Sequence, residues 1–354
     1  MILVVNPLVH TKNAARWAAF FCVMLLLTAC SGELEMDRLQ GKTMGTTWSV
    51  VIANPIAAHD REALQTAIEN TLAAVNRQMS TYDPDSEISR FNQAPVGEWF
   101  PVSELFALTT AKALGFSRIS NGAFDPTVGP IVNLWGFGPE AGREAIPSDA
   151  DVEAAREEVG YDAIQVRAPE APGGAALWKD APRRLDLSAI AKGLGVDEVY
   201  GVLDALGYSN FLVEIGGEVR VKGRKEGLGW QIAVEKPTRG ERQVAEVLAL
   251  SNTAVATSGD YRNYREIDGV AYSHTIDPST GRPATHNLAS VTVADESCAM
   301  ADGWATTLLV LGPTEGFQLA VRQNLPAMFI ERTADGFSVK YTPRFERLLA
   351  GVTE

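Results

Sequence analysis

Residues 185–221 read LDLSAIAKGLGVDEVYGVLDALGYSNFLVEIGGEVRV, a helical pattern followed by two strand patterns. The run from Ala189 to Leu206 predicts a helix, and Gly207 marks its end. Phe211–Ile215 and Glu218–Val221 predict two strands, and the two glycines between them are typical of a tight hairpin turn. The segment therefore predicts a helix beside an antiparallel hairpin, which favours the α+β class.

The same two kinds of pattern continue on both sides of this segment. Strands are predicted at residues 46–52, 163–167, 230–235, 246–250, 254–257, 271–276, 290–293, 327–331 and 337–341. Helices are predicted at 60–79, with Asp60 as a possible cap, from Ser103 to Gly115, from Ser148 to Gly160, at 300–311 and 313–323, and as a last short helix after residue 341. No repeat of fixed period and no long linker separates these elements. We therefore predict one α+β catalytic unit with mixed helices and a mainly antiparallel sheet.

The composition is that of an acidic, folded protein. Of the 354 residues, 46% are hydrophobic, which excludes a wholly disordered chain, and the length suits one or two domains. Lys and Arg number 31 against 44 Asp and Glu, so the formal net charge is −13. This charge argues against a general nucleic-acid binder, which needs a basic footprint. Four histidines are too few for a His-rich metal cluster.

The N-terminal sequence resembles a bacterial lipoprotein signal. Lys12 and Arg16 precede an apolar run at 17–27, and the sequence LTAC follows at 27–30. A membrane-spanning helix needs about 20 apolar residues, so this run is too short for one and suits a signal peptide. We predict cleavage before Cys30 and lipidation of that cysteine, for example with palmitate. The alternative is a buried N-terminal helix that contains a cysteine by chance.

This cleavage gives a three-part domain plan. Residues 1–29 are the signal peptide, 30–42 a polar tether, and 43–354 the catalytic domain. Because the other N-terminal cysteine leaves with the signal peptide and lipid occupies Cys30, we expect no intramolecular disulfide. Cys298 is predicted to be a small buried apolar residue. The expected location is the bacterial cell envelope, facing the periplasm, and Ser31 after the lipidated cysteine leaves the inner and the outer membrane open.

An acidic and a hydroxyl side chain share one face of a predicted helix. Asp302 and Thr306 are four residues apart, within the otherwise apolar segment that ends at Leu311. Burying an unpaired carboxylate is costly, and two hard oxygen ligands for Mg²⁺ or Ca²⁺ would account for it. The alternative is that Asp302 caps the helix and Thr306 bonds to a backbone carbonyl.

Two further positions stand at the ends of predicted elements. Asp186 precedes a helix, where it is either a binding residue or part of an ordinary N-cap. His274 comes at the end of a strand, before the turn at 277–281. A histidine at such a loop is a candidate general base, since its unperturbed pKa is near 6.5. The alternative is a histidine at the surface or at the edge of the core.

Two loops complete the set of candidate residues. The segment GAFDPTVGP at 122–130 contains Ala123, Phe124 and Asp125, and its glycines and prolines indicate a rigid loop. Tyr82 follows the first helix and either stacks on a planar ring or fills the core.

Taken together and in order, these segments resemble the ApbE-type FAD:protein FMN transferases. The resemblance covers nearly all of the mature chain, through GTTWS at 45–49, STY at 80–82, SEISRFN at 86–92, GAFDPTVGP at 122–130, LWGFG at 134–138, DLSAIAKG at 186–193, IGG at 215–217, ATSGDY at 256–261, HTIDP at 274–278 and ADGWAT at 301–306. It implies the α+β ApbE fold, which is related to T-fold architectures.

The resemblance also implies an activity and a set of site residues. The family moves FMN from FAD to a Thr or Ser hydroxyl of a target protein through a phosphoester and releases AMP. By matching positions, His274 would be the base, and Mg²⁺ would be held by Asp302, Thr306 and the backbone carbonyl of Ala189. FAD contacts would fall at Met44, Tyr82, Ala123, Phe124, Asp125, Asp186, Lys192 and Ile276.

Two other functions remain open at this point. One is an Mg²⁺-dependent FAD pyrophosphatase, in which water replaces the target hydroxyl. The other is a flavin-binding lipoprotein without catalysis. For a transferase, the family suggests flavoprotein subunits of membrane electron-transport complexes as targets, such as sodium-pumping NADH:quinone reductases.

Overall fold

The computed structural model describes residues 36–54, 56–140, 145–225, 227–238, 240–267 and 269–351. The predicted signal peptide, Cys30 and the first part of the predicted tether lie outside these residues. Within the described part of the chain, no helix has the length and apolar character needed to span a membrane.

The strands are mostly short and are interleaved with the helices. They are β1 (Asp37–Thr43), β2 (Thr46–Ile52), β3 (Phe100–Pro101), β4 (Ile164–Arg167), β5 (Ala176–Lys179), β6 (Phe211–Ile215), β7 (Glu218–Lys222), β8 (Trp230–Glu235), β9 (Val244–Leu250), β10 (Thr253–Gly259), β11 (Tyr264–Ile267), β12 (Val270–Ser273), β13 (Ile276–Asp277), β14 (Arg282–Pro283), β15 (Leu288–Asp295), β16 (Ala327–Thr333) and β17 (Gly336–Tyr341).

The helices are those that the sequence patterns predict, together with two short ones. They are α1 (Arg61–Met79), α2 (Glu87–Gln93), α3 (Glu104–Ile119), α4 (Gly129–Leu134), α5 (Asp149–Glu157), α6 (Ser188–Ala205), α7 (Cys298–Arg322) and α8 (Pro343–Leu349). The predicted caps Ser103 and Ser148 each accept a hydrogen bond from the backbone N–H three residues on. The two helices predicted at 300–311 and 313–323 form the single span α7, which is interrupted at Gly312 (φ 78°).

Eight strands form the main sheet, in the order β1-β2-β6-β7-β10-β15-β16-β17. Every neighbouring pair is antiparallel. The smaller sheets are β3-β5-β4, β8-β9, β11-β12 and β13-β14. The α+β class with a mainly antiparallel sheet is therefore confirmed.

The core lies on both faces of the main sheet. Val291 and Val293 of β15 pack into the cluster that contains α6 and α7 residues, whereas Ala294 belongs to the cluster beneath β8 and β9. Alternate residues of a strand point to opposite faces, so β15 is buried on both sides. This arrangement fixes α6 and α7 side by side on one face of the sheet.

The predicted tether is too long at its C-terminal end. Asp37–Thr43 is not a polar tether but the strand β1, which pairs with β2 along its full length. Leu39 is buried, and the indole of Trp48 lies against Gly41, where an added Cβ would be 2.6 Å from Nε1. The folded unit therefore begins at Met36 rather than at residue 43.

Three smaller boundary predictions also need correction. Gly115 does not end the second predicted helix, because α3 continues to Ile119. Asp60 stands at the N-cap position of α1, but its side chain makes no capping hydrogen bond. The predicted strand at 271–276 is divided into β12 and β13, and the break falls at His274 and Thr275.

Candidate active site

One large cleft of about 1470 Å³ brings the predicted site residues together. Its walls come from the β1–β2 turn, the loops after α1 and α3, the start of α6, the β6–β7 turn, the end of β10 and one face of α7. The predicted site residues that line it are Met44, Tyr82, Ala123, Phe124, Asp125, Asp186, Ala189, Lys192, His274, Ile276 and Thr306. Asp302 lies behind this wall and is 1% exposed.

The start of α7 decides between the two interpretations of Asp302. The helix begins at Cys298, and Ser297 caps it by accepting a hydrogen bond from the N–H of Met300. Asp302 therefore lies inside the helix and is not its N-cap.

Cys298 is a buried free thiol, as predicted, and burial raises its pKa well above the ordinary value.

The Asp302 carboxylate reaches across to α6. Its Oδ2 accepts a hydrogen bond from the Gly193 N–H at 3.0 Å. A Cβ added to Gly193 would lie 2.4 Å from the carbonyl oxygen of Cys298, so only glycine permits this close approach of α6 and α7. Burial raises the pKa of Asp302, while the charge of Lys192 and the Gly193 hydrogen bond act to lower it.

Thr306 faces the cleft one turn after Asp302. Its Oγ1 is 3.0 Å from the Oγ of Ser258 on β10, a side-chain contact in place of the backbone bond of the alternative interpretation. That bond belongs to the next residue, Thr307, whose Oγ1 donates to the Gly303 carbonyl at 2.7 Å. The Thr306 hydroxyl is thus held at the cleft surface by a single side-chain partner.

These residues have the donor chemistry that Mg²⁺ prefers. Asp302 offers a carboxylate, Thr306 a hydroxyl and Ala189 a backbone carbonyl, which retains a second lone pair inside a helix. Ala189 lies one turn before Gly193, whose N–H contacts Asp302, so α6 brings this carbonyl to the same side. In the described ranges there is no group of three or more His, Cys, Asp or Glu side chains that could hold a metal. Mg²⁺ usually binds through one or two carboxylates plus substrate phosphates, so one carboxylate fits it.

Lys192 carries a positive charge between two acidic side chains. Its Nζ is 3.4 Å from Glu218 Oε1 and 3.7 Å from Asp302 Oδ2. Burial alone would lower the pKa of Lys192, but the attraction of Asp302 and Glu218 outweighs it and raises this pKa. Lys192 is therefore charged at neutral pH, in a cleft wall where it can meet an anionic group.

His274 presents one ring nitrogen with a defined protonation state. Its backbone N–H and its Nδ1 both bond to the carbonyl of Asn263, at 3.1 and 2.9 Å. A carbonyl only accepts, so Nδ1 is the donor, and the Nε2 of the neutral ring is left as an acceptor. Burial lowers the pKa of His274, as does the charge of Lys192, against the Asn263 hydrogen bond. The neutral form, which a general base requires, therefore persists below the usual histidine pKa.

The loop at 122–130 offers its backbone to the cleft. The ring of Phe124 belongs to the main core and packs 5.3 Å from that of Phe116. The carboxylate of Asp125 accepts hydrogen bonds from the N–H and hydroxyl of Thr127 and from the N–H of Tyr161. Burial raises the pKa of Asp125. Both side chains thus hold the loop in place along the cleft, where the backbone of residues 123–125 is available to a ligand.

The other predicted binding residues occupy distinct parts of the cleft. Met44 has φ 49° in the two-residue β1–β2 turn, a conformation that a hairpin of this length requires. Asp186 Oδ1 accepts from the Ser188 N–H at 2.8 Å, so this residue does fix the start of α6, and it also lines the cleft. Tyr82 is 68% exposed at the cleft mouth, so it does not fill the core. Ile276 is buried below the loop that carries His274.

Three residues that shape this site have no role assigned from the sequence. They are Glu218, which contacts Lys192, Ser258, which contacts Thr306, and Asn263, which fixes the His274 tautomer. Ser258 lies in the ATSGDY motif and Glu218 begins a predicted strand, but their partners are distant in sequence. Asn263 acts through its carbonyl, which no side-chain pattern reveals.

Comparison with known proteins agrees with this geometry. A sequence model described as the ApbE family matches residues 44–329. The chain belongs to the ApbE family. Its β10, α6 and α7 segments all lie within the matched range, as do the candidate base and metal ligands. The family resemblance predicted from the sequence is therefore confirmed.

Individual members of the ApbE family match over most of their length. The FAD:protein FMN transferase of Vibrio cholerae is 44% identical over 336 residues, which is 94% of this chain and 99% of that protein. The solved structure of the flavin transferase ApbE from Vibrio cholerae has a TM-score of 0.80 and covers 88% of this chain and 98% of its own. The apo flavinyl transferase ApbE from Pseudomonas stutzeri is 39% identical, with a TM-score of 0.78 over 90% of this chain and 98% of its own.

Proposed function

We propose that this ApbE-family protein transfers FMN from FAD to a Thr or Ser hydroxyl of a target protein and releases AMP. The observation that carries the proposal is the convergence of His274, Lys192 and Thr306 on one cleft, with Asp302 directly behind it. The volume of about 1470 Å³ exceeds the range of about 300–1,000 Å³ usual for small-ligand pockets, which suits a dinucleotide together with a protein segment. The relatives named FAD:protein FMN transferase support the same reaction.

The chemistry follows from what each side chain can do. The target hydroxyl oxygen forms a bond to the FMN-side phosphorus, the phosphorus–oxygen bond to AMP breaks, and AMP leaves with that electron pair. His274 Nε2 takes the hydroxyl proton, because this nitrogen is the unprotonated one. The ammonium of Lys192 offsets negative charge on the pyrophosphate.

Asp302, Thr306 and the Ala189 carbonyl would hold Mg²⁺. When bound, this cation neutralises the pyrophosphate charge and favours departure of AMP. The support for Mg²⁺ is the donor set of the site, which contains only hard oxygen atoms.

An incubation of the protein with FAD and Mg²⁺ separates the three candidate functions. With a candidate flavoprotein subunit from a membrane electron-transport complex, we expect a fluorescent protein band and one AMP released per flavin attached. Mass spectrometry should find the FMN-sized adduct on a Thr or Ser. Release of free FMN and AMP at the same rate without the target would indicate a pyrophosphatase. Retention of FAD without any AMP would indicate a binding protein, and either result would contradict the proposal.

We also propose that the protein is anchored through lipid on Cys30, facing the periplasm at the inner membrane beside its targets. The support is the order of three features at residues 12–30: two basic residues, then an apolar run, then the sequence LTAC. In cells fed a labelled fatty acid, Cys30→Ser should lose the label and leave the membrane fraction. Cys22→Ser, inside the predicted signal peptide, is the matched control and should retain both. A Cys30→Ser protein that kept the label would show that the lipid is attached elsewhere.

A further inference from the structure

Glu218 is a buried carboxylate with a single charged partner. It begins β7, directly after the Gly216-Gly217 turn, and is 4% exposed in the wall of the cleft. Its Oε1 is 3.4 Å from Lys192 Nζ. Its Oε2 is buried and has no hydrogen-bond partner. One of its two oxygens therefore lacks a partner, and burial raises the pKa of Glu218 to about 8 against the opposing charge of Lys192.

Stability alone does not account for this carboxylate. Removing an ion from water is costly, and replacing a complete buried ion pair with well-packed apolar residues of similar volume is often neutral or stabilising. The Lys192 ammonium already has Asp302 as a partner at 3.7 Å. A second, incompletely paired carboxylate beside it is thus a cost to folding, which points to a role in the site.

The ammonium group of Lys192 lies within ion-pair distance of both Glu218 and Asp302. The side chain of Lys192 is 32% exposed, whereas those of Glu218 and Asp302 are 5% and 2% exposed. The ammonium lies nearer to Glu218 than to Asp302. Without the charge of Glu218, Lys192 would pair with Asp302 alone, and Asp302 is the carboxylate that we propose as an Mg²⁺ ligand.

We propose that Glu218 is a positioning residue that draws the Lys192 ammonium away from Asp302 and keeps the Asp302 carboxylate available to a divalent cation. Lys192 is thereby held at the cleft surface, where the pyrophosphate of FAD would lie. The inference rests on the proposed function, because it takes Asp302 as a cation ligand. It assigns a role to Glu218 in loading the site rather than in the chemical step.

Direct metal binding tests this role without relying on catalysis. Binding of Mn²⁺ to the full mature protein, without FAD and at a pH above the pKa of Glu218 of about 8, is measured by the loss of the free Mn²⁺ signal in electron paramagnetic resonance. Glu218→Gln should weaken Mn²⁺ binding by about tenfold, because Lys192 then competes for Asp302. Glu246→Gln is the matched control: this half-buried carboxylate accepts a hydrogen bond from Tyr341 outside the cleft, and its loss should leave Mn²⁺ binding unchanged.

The Lys192→Met background shows whether Glu218 acts through Lys192. In that background, Glu218→Gln should change Mn²⁺ binding by less than about twofold, because the competitor is absent. An equal loss in both backgrounds would mean that Glu218 acts only by its charge, and would overturn the proposal. Unchanged Mn²⁺ binding in Glu218→Gln itself would overturn it as well.

Melting temperature and a second variant separate positioning from folding. Glu218→Gln should melt close to the wild-type temperature, because Lys192 keeps Asp302 as a charged partner at 3.7 Å. Should it not fold, Glu218→Asp retains the charge but withdraws it by about 1.5 Å, and should weaken Mn²⁺ binding less than the loss of charge would. Wild-type Mn²⁺ binding in Glu218→Asp would contradict the role. Failure of the proposed function is distinguishable, because it would appear as absent FMN transfer in a wild-type protein that still binds Mn²⁺.

Discussion

Replacing Asp302 with asparagine should lower the rate of FMN transfer by about 10³-fold. The carboxylate is the only charged group among the proposed cation ligands, and a bound cation supplies several kcal/mol of charge stabilisation in such reactions. Asparagine has nearly the same shape, and its side-chain oxygen can still accept the Gly193 N–H that Asp302 binds at 3.0 Å. The loss should therefore appear in AMP release at saturating FAD, and the melting temperature should remain close to that of the wild type.

A second aspartate provides the control for this variant. Asp295, at the end of β15, accepts a hydrogen bond from the Ser297 N–H at 2.9 Å and does not line the cleft. Asp295→Asn makes the same chemical change beside the same helix, and transfer should stay within about threefold of wild type. If Asp302→Asn also kept its rate within that range at limiting Mg²⁺, Asp302 would not be a cation ligand, and the metal site would have to be sought elsewhere.

Local patterns were enough to predict most of the fold. The helix α6, the β6–β7 hairpin and the capped starts of α3 and α5 depend on neighbouring residues, and each was predicted within a few positions. The strand β1 was missed because only Leu39 and Thr43 in it are buried, so its sequence has almost no apolar alternation. It is a strand because of its partner β2, a contact that its own sequence does not reveal.

The candidate site also has some features that local sequence predicts and others that depend on contacts between distant residues. The helix face shared by Asp302 and Thr306 follows from a spacing of four, and the sequence alone was enough to find it. The contact of Lys192 with Glu218 and Asp302 joins three elements that are far apart in sequence. The strand predicted at 271–276 is divided at His274 and Thr275. The bonds of the His274 backbone N–H and Nδ1 to the Asn263 carbonyl lie at this point, and no local pattern contains them.

Replacing His274 with alanine should lower the turnover number for FMN transfer by about 10²–10⁴-fold, the usual contribution of a positioned general base. FAD affinity should change little, because the predicted FAD contacts are other residues of the cleft. The measurement is single-turnover attachment of FMN to the target, with FAD binding followed separately by flavin fluorescence. His59→Ala is the control, since this histidine is exposed and its neighbour is Asp60 at the surface. His274→Ala transferring FMN at the wild-type rate would show that another group takes the proton.

The pH dependence distinguishes a base from a residue that only shapes the cleft. His274 accepts a proton only when neutral, and burial lowers its pKa from the ordinary value of about 6.5. Wild-type transfer should therefore persist to lower pH than an ordinary histidine would allow, and decline as the imidazole becomes protonated. In His274→Ala this decline should be absent, and added imidazole should restore part of the rate. A variant that retained the same acidic decline, and did not respond to imidazole, would assign that titration to another group and leave His274 a structural part of its loop.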